Sequence, residues 1–241
     1  MLARPGGFAA DVVLATKVDA IRGTADLSGG RVKRSAVEIS TRLGVDGVQP
    51  MYLYDPEFYL MFGEAMAPGG PVAALVALRA AGVVDHLGVV PGDIRLVCDL
   101  IGTGVFEVAL VHNRYTLDRS ADALIEEAIG LGVACVNAAP YGGGILSRGP
   151  DVSSEYAYRP VDEVLLTSVY GMQEACRRRG VPLAAAALQS SLRDPRVPST
   201  VVGVSTAERV VEAIRLAELD LADELWNELA SLTPLAEYWL S

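Results

Sequence analysis

Six short runs rich in β-branched residues recur along the chain, each followed after a loop by a segment of helical period, and this alternation restricts the fold more than any other feature. The runs are VVLATKV (12–18), PMYLY (50–54), VDHLGVV (84–90), FEVALVH (106–112), VACVNAA (133–139) and STVVGVS (199–205). Strands separated by helices read as parallel βα units, because a parallel neighbour can be reached only through a crossover long enough to hold a helix. Between the runs, GRVKRSAVEISTRLGV sets Val32, Ala36, Ile39 and Leu43 on one helical face. SADALIEEAIGLGV does the same with Ala121, Leu124, Ala128 and Leu131 behind an expected N-cap at Ser120. Gly44 and Gly132 stand where a left-handed residue ends a helix. Further helices are expected over 161–179, from Pro182 with proline at the first helical position, and over 207–216 and 222–232.

Parallel strands with crossover helices fit either an open doubly wound sheet or a (β/α) barrel. No G-x-G-x-x-G follows the first run, and GGGIL (142–146) lacks a phosphate-loop lysine, so GGGIL is expected to be a flexible loop and the barrel is favoured. With 241 residues, 51% of them hydrophobic, and no linker-like stretch, a single domain over 1–241 is expected. The net charge of −10 argues against nucleic acid or an anionic membrane as partner. The basic clusters RVKR (31–34) and RRR (177–179) read as solvated helix faces or helix C-terminal charge.

Cys98, Cys135 and Cys176 are odd in number and have no metal-ligand spacing, which suggests free thiols in a reducing compartment and no metal site. The first residues lack the apolar core of a signal peptide, and PVAALVALRAAGVV is too short to span a bilayer, so the cytoplasm is the expected location.

In this order and spacing, VVLATKV, LGVDGVQPMYLYDP, LRAAGVVDHLGV, NRYTLDRSA, GVACVNAAPYGGGILS, GVPLAAAALQ and VVGVSTAERVVEAI resemble the aldo-keto reductases, in particular the aldose and L-fucose dehydrogenase-like subgroup. The resemblance implies an α/β fold of the (β/α) TIM-barrel type, with NADP(H) at the C-terminal face and a tetrad of tyrosine, lysine, aspartate and histidine. Lys17, ending LATK, matches the lysine that lowers the tyrosine's pKa. Where relatives carry the histidine, this chain reads Tyr54-Asp55-Pro56, and neither His86 nor His112 can be shifted onto that position. No D-T-A-x-x-Y-G segment is found, so the barrel is expected to be incomplete, with about six βα units and without the first two strands and half the tetrad. Around the cofactor, the resemblance aligns Ser205 with a basic residue, Arg209 with a glutamate and Ala213 with an asparagine. Glu212 alone keeps its family identity, and VPGD (90–93) replaces a Ser-Asn pair.

These departures lead to the expectation of a vestigial cofactor site at Ser205, Arg209 and Glu212 and of no bound cofactor, with NADP as the alternative. By strand period, Tyr52 and Tyr54 share the pocket side of the second strand. His112 occupies the slot where relatives place a glutamine against nicotinamide, and Tyr141 matches an aromatic that stacks on the ring. The expected catalytic groups are His112, Tyr54 and Lys17, and the expected substrate-binding groups are Tyr52, Asp19, Asp55, Asn113, Tyr115, Asn137 and Tyr141. Plainer roles stay open for several: rim packing for the tyrosines, a satisfied core group for His112, a turn residue for Asp55. The favoured function is a non-redox cyclase, isomerase, dehydratase or lyase acting on a carbonyl-bearing small molecule. An NADP(H) oxidoreductase with altered residues and a non-catalytic scaffold or partner subunit are the alternatives. Open barrel edges further suggest a homodimer.

Overall fold

The computed structural model describes residues 12–21, 23–90 and 92–239. The chain divides into two compact units, one running to Leu110 and including Glu126–Ala134, the other formed by Val111–Ile125 and Cys135 onward.

The first unit contains β1 (Thr16–Val18), α1 (Gly29–Leu43), β2 (Val48–Tyr54), α2 (Phe62–Met66), α3 (Pro71–Ala80), β3 (Val84–Val90), α4 (Ile94–Ile101) and the start of β4 (Val108–His112). Its strands follow the order β1-β2-β3-β4 and are parallel. Lys17 lies opposite Tyr52, and Tyr54 opposite Val90. Helix α1 forms because Ser28 accepts from the Arg31 N–H at its start, Val32 and Ala36 are buried along one face, and Gly44 closes it at φ 68°. Leu53, Leu75, Leu87 and Val89 are fully buried and form the centre of this unit.

β1 is shorter than the run over 12–18 suggests. The Leu14 N–H is taken by the Gln49 side chain at 2.7 Å rather than by a strand carbonyl, so the regular ladder starts only at Thr16. β2, in turn, starts two residues earlier than PMYLY, at Val48.

α5 (Asp122–Gly130) and β4 contribute residues to both units. The Ser120 hydroxyl, expected to cap α5, instead donates to Asp118 and to the Arg114 carbonyl. The second unit continues with β5 (Ala134–Ala138), α6 (Ile145–Arg148), β6 (Glu155–Tyr156), β7 (Arg159–Pro160), α7 (Glu163–Arg178), α8 (Leu183–Leu192), β8 (Ser199–Val201), α9 (Ala207–Ala217) and α10 (Asp223–Leu232). Its strand order is β4-β5-β8, with Asn137 opposite Thr200, while β6 and β7 form a separate antiparallel pair. Leu165, Val169 and Met172 of α7, the alanines 185–187 of α8 and Leu225 and Leu229 of α10 share one apolar cluster with Tyr156 and Trp239. The Tyr156 and Trp239 rings meet edge to face at 4.9 Å.

Two local expectations change here. Pro182 is the N-cap of α8 rather than its first helical residue. GGGIL is an ordered turn of 3-10 helix running into α6, because a side chain at Gly142 would place its Cβ 2.2 Å from the Tyr156 ring. The basic clusters are ion-paired at the surface: Arg31 with Glu38, Arg34 with Asp26, Arg177 with Glu174, and Arg178 and Arg179 with Glu228. Such exposed pairs are screened by water and add little to stability.

Among the described residues six parallel strands alternate with helices, which is the pattern of a (β/α) barrel with two βα units fewer than eight. No helix among the described residues is long and apolar enough to cross a membrane.

Candidate functional site

In the first unit, chemistry-bearing side chains gather where β1 and β2 end. Lys17 is exposed on β1, and its Nζ lies 3.2 Å from the centroid of the Tyr54 ring at the end of β2. A cation over the ring face is attracted by the π electrons and favours the phenolate over the phenol. Asp55 follows in the left-handed region at φ 44°, where aspartate is among the few non-glycine residues tolerated. Burial raises its carboxyl to about 6, helped by the nearby Glu57 and Asp19 charges and opposed by Lys17 and by a hydrogen bond from Tyr54. Its Oδ1 is buried without a partner.

Glu57, in the turn of 3-10 helix after Asp55, is anchored through Oε1 by the Gly92 and Asp93 N–H groups, while its Oε2 is buried and unpartnered. This residue is absent from the sequence-based set, since a lone glutamate after Asp-Pro carries no signal of what it will meet. Asp19 sits half-buried beyond β1, its carbonyl accepting from Arg31.

Tyr52 behaves differently from Tyr54. It is buried in the strand layer at 6% exposure, and its ring lies over Gly88, whose Cβ would come within 2.3 Å of it. Burial raises its phenol above the ordinary value, so Tyr52 belongs to the core rather than to a pocket floor. The exposed His86, on β3, faces the Glu107 carboxylate at 3.4 Å.

The second unit holds a cleft of about 540 Å³ bordered by Tyr141, Gly143, Gly144, Ser147, Arg148, Gly203, Arg209 and Glu212. Arg209 and Glu212 therefore face one space, together with Tyr141, whereas the exposed Ser205 does not border it. Arg148 and Ser147, which the sequence alone did not single out, add a guanidinium and a hydroxyl. Gly144 lets the Arg148 guanidinium lie against the backbone, where a Cβ would come within 2.5 Å of it. Two cationic groups, a hydroxyl, an aromatic ring and glycine backbone form a donor set that fits a dinucleotide: guanidinium groups for phosphate oxygens, the Tyr141 ring for stacking, the Glu212 carboxylate for ribose hydroxyls.

Other residues expected to touch substrate are framework instead. Tyr115 is fully buried, with its hydroxyl donating to Asp194 and its carbonyl accepting from Asn137 at 2.6 Å. Asn137 is fully buried and also donates to Ser191 at 2.9 Å. Asn113 is buried at φ 54°, and its carbonyl accepts from Tyr156. The segment after β4 packs against Asn137 of β5 and against α8, which takes these polar groups out of solvent, although the Oδ1 atoms of Asn113 and Asn137 are buried without a partner. His112 ends β4, half-buried.

A larger cleft of about 670 Å³, bordered by Arg119, Arg193, Asp194, Arg196 and Trp226, has its arginines engaged with Asp194, Asp122, Asp223 and the Trp226 and Tyr115 rings. Among the described residues no cluster of His, Cys, Asp and Glu is arranged to hold a metal.

Comparison with known proteins bears directly on this chemistry. The chain is 29% identical over 216 residues to pyridoxal 4-dehydrogenase of Microbacterium luteolum, covering 86% of this chain and 63% of that one. It is 32% identical over 223 residues to D-threo-aldose 1-dehydrogenase of a Pseudomonas species, covering 88% and 64% respectively. To L-galactose dehydrogenase of Arabidopsis thaliana it is 26% identical over 231 residues, with 92% and 70% covered. The chain thus spans a little under two thirds of the length of the first two relatives. The holo form of aldo-keto reductase AKR11C1 from Bacillus halodurans shares the fold at a TM-score of 0.72 and 21% identity, over 93% of this chain and 73% of that one.

All three named relatives are dehydrogenases, which overturns the expectation of a non-redox cyclase, isomerase, dehydratase or lyase. The expectation of no cofactor falls with it, and around the departures from the family pattern at Arg209 and Ala213 the cleft supplies a different donor set that includes Arg148 and Ser147. The profile of the aldo/keto reductase family matches residues 1–234, nearly the whole chain, and the protein belongs to that family.

Proposed function

We propose that the protein is an NAD(P)-dependent oxidoreductase that interconverts an alcohol or hemiacetal and the corresponding carbonyl on a small polar metabolite. The observation that carries this reading is the Lys17 ammonium over the Tyr54 ring, which puts an acid–base phenol beside a fixed cation at the strand ends. Tyr54 exchanges the proton of the substrate oxygen, with the Lys17 ammonium fixed over its ring. NAD(P), when bound, supplies the hydride acceptor or donor. Arg148 and Arg209 would hold its phosphates, Tyr141 would pack on a ring, and Glu212 would accept from ribose. His112, at the end of β4, serves as a further polar contact for cofactor or substrate. The relatives named for aldose, L-galactose and pyridoxal support a substrate with an aldehyde or lactol carbon among hydroxyl groups.

Titration of NADH and NADPH fluorescence tests the reading directly, followed by assay of aldoses and pyridoxal at 340 nm. Micromolar binding with turnover is expected. No fluorescence change up to millimolar nucleotide, and no turnover, would reject it.

Self-association is proposed as well. Helix α9 presents Val210, Val211 and Ile214 to solvent at 43%, 67% and 54% exposure, an apolar stripe that a second copy of the chain would cover. Sedimentation at micromolar concentration should show a dimer, and Val211→Glu should shift it towards monomer. A wild-type monomer throughout that range would remove the proposal.

A further inference from the structure

The hairpin that joins β6 to β7 is built against the preference of its own residues. Tyr156 pairs with Arg159, so Ala157 and Tyr158 are the two central residues of its turn, and both stand in the left-handed region, at φ 50° and 66°. A two-residue hairpin turn of this hand is normally made of asparagine, aspartate and glycine, because a Cβ crowds the backbone there, and a bulky aromatic is among the poorest choices. Nothing within the described residues compensates for that choice. The Tyr158 side chain is 79% exposed, and neither its ring nor its hydroxyl has a partner among the described residues.

The turn is nevertheless held firmly at its base. Tyr156 is buried and donates to the Asn113 carbonyl at 2.9 Å, and the Ala157 N–H donates to the Gly142 carbonyl at 3.2 Å. Gly143 leaves the room this needs, since a Cβ there would lie 3.3 Å from the Ala157 nitrogen and 3.4 Å from that of Tyr158. With its base fixed and its tip unsupported, the hairpin puts Tyr158 on the border of the cleft of about 540 Å³ that Tyr141, Arg148, Arg209 and Glu212 also line. All of these residues belong to the second unit. Backbone strain kept at the rim of a cleft, with no contact inside the protein to offset it, points to a residue retained for a ligand.

We propose that Tyr158 is a stacking platform for the adenine of the dinucleotide, an inference that rests on the oxidoreductase reading. The ring that carries hydride has to be kept from water, and a side chain as open as Tyr158 cannot give that shelter. Adenine takes no part in the chemistry, and its π face stacks on an aromatic side chain without needing a buried hydrogen bond. Arg209 supplies the matching anion contact: its guanidinium borders the same cleft and has no partner among the described residues, which leaves it free for a phosphate of the adenosine half. The left-handed turn fixes the ring in advance, so that binding does not have to order it.

Tyr158→Asn and Tyr158→Phe test this with ADP and with NADPH, by calorimetric titration and by thermal unfolding. Asparagine suits the left-handed backbone but has no ring. Tyr158→Asn should therefore raise Tm by roughly 2–4 °C while weakening ADP and NADPH by roughly 10-fold, the size of one base–aromatic stack. Tyr158→Phe keeps the ring and should bind both within about twofold of wild type. In wild-type protein, adding ADP should bring nuclear Overhauser contacts between the adenine protons and the Tyr158 ring. A residue that only builds the hairpin would move stability and affinity in the same direction, so a gain in Tm with a loss of affinity separates the two roles.

Equal ADP affinity in wild type and Tyr158→Asn, ADP bound without those contacts, a Tm that falls together with affinity, or no ADP binding at millimolar concentration overturns the platform. Failure of the oxidoreductase reading looks different: ADP would bind through Tyr158 while neither NADPH nor NADH supports turnover of aldoses or pyridoxal.

Discussion

Asp55 in the first unit and Asp194 in the second are both aspartates withdrawn from water, yet their surroundings push them in opposite directions. Asp194 accepts from Arg196 through Nε and Nη2, from Arg119 at 3.2 Å and from Tyr115. The Arg196 hydrogen bonds hold its carboxyl well below the usual carboxylate range, and every lone pair has a donor. Among the described residues Asp55 has Lys17 as a cation, two carboxylates nearby and a buried oxygen without a partner, so its proton is held instead of repelled. A saturated carboxylate fixes structure. An undersupplied one keeps chemistry available, and the difference lies in the donors that neighbouring segments bring rather than in the residue type.

The sharpest way to break the comparison is to remove Asp194. Asp194→Ala leaves Arg196 and the Tyr115 hydroxyl without their shared acceptor in a site where Asp194 is only 8% exposed. A loss of about 3–5 kcal/mol in urea denaturation at pH 7 is expected, the usual consequence of stripping one partner from a buried pair. A loss below about 1 kcal/mol would mean that the network is no stronger than an exposed ion pair. Next in size, Lys17→Met should lower the oxidation rate by roughly 100-fold with nucleotide affinity kept, because the phenolate loses its cation. An unchanged rate would show that Lys17 is only a surface charge.

The two sites were unequally legible in the sequence. Lys17, Tyr54 and Asp55 lie within a few residues of strand ends, so strand period and the resemblance to the family marked them. Their physical state was not legible: Asp55 read as a turn residue because Asp-Pro usually is one, and only the missing capping bond and the orphaned oxygen set it apart from one. Asp194 was not marked at all. Its partners Tyr115, Arg119 and Arg196 come from two separated segments of the chain, and no local pattern records that pairing.

The same distinction explains the misplacement of Tyr115 and Asn137, whose polar groups suggest a pocket until the fold shows them bonded to each other and to Ser191. Val84–Val90 matches its run, and the other five strands differ from theirs by one to four residues at an end. β1 illustrates the cause, since the Gln49 side chain, 35 residues away in sequence, is what interrupts it. Reading the worn family residues at 205, 209 and 213 as loss of the cofactor failed for a related reason. Arg148 and Ser147 belong to a different segment and border the same cleft.

A smaller effect is expected in that cleft. Arg148→Ala removes one of two guanidinium groups facing it and should weaken NAD(P)H binding by about tenfold, close to the value of one charge-assisted contact. Fluorescence titration at two salt concentrations checks this, because a phosphate contact must also make binding less salt-dependent when it is lost.

The smallest effect returns to the pair of aspartates and concerns stability against pH. Asp194 has a lowered carboxyl, so its contribution is present above the unfolded value near 3.8 and disappears only as the pH falls through the lower folded value. Asp55 has the opposite sign: with a folded value of about 6 against 3.8, its favourable contribution is complete below 3.8 and is lost as the pH rises through 6. Ionised Asp55 is therefore a weak strain on the fold at neutral pH, and Asp55→Asn should relieve it. Because the group is partly open to water, solvent screening limits the gain to about 1–2 °C in Tm at pH 7.5. The gain should shrink as the pH falls through 6 and be gone near 4, where the wild-type carboxyl is protonated and resembles the amide. Calorimetry of both proteins between pH 4 and 7.5 decides the sign. A variant less stable at pH 7.5 would mean that the ionised carboxylate is satisfied after all, and the contrast with Asp194 would collapse to one of degree.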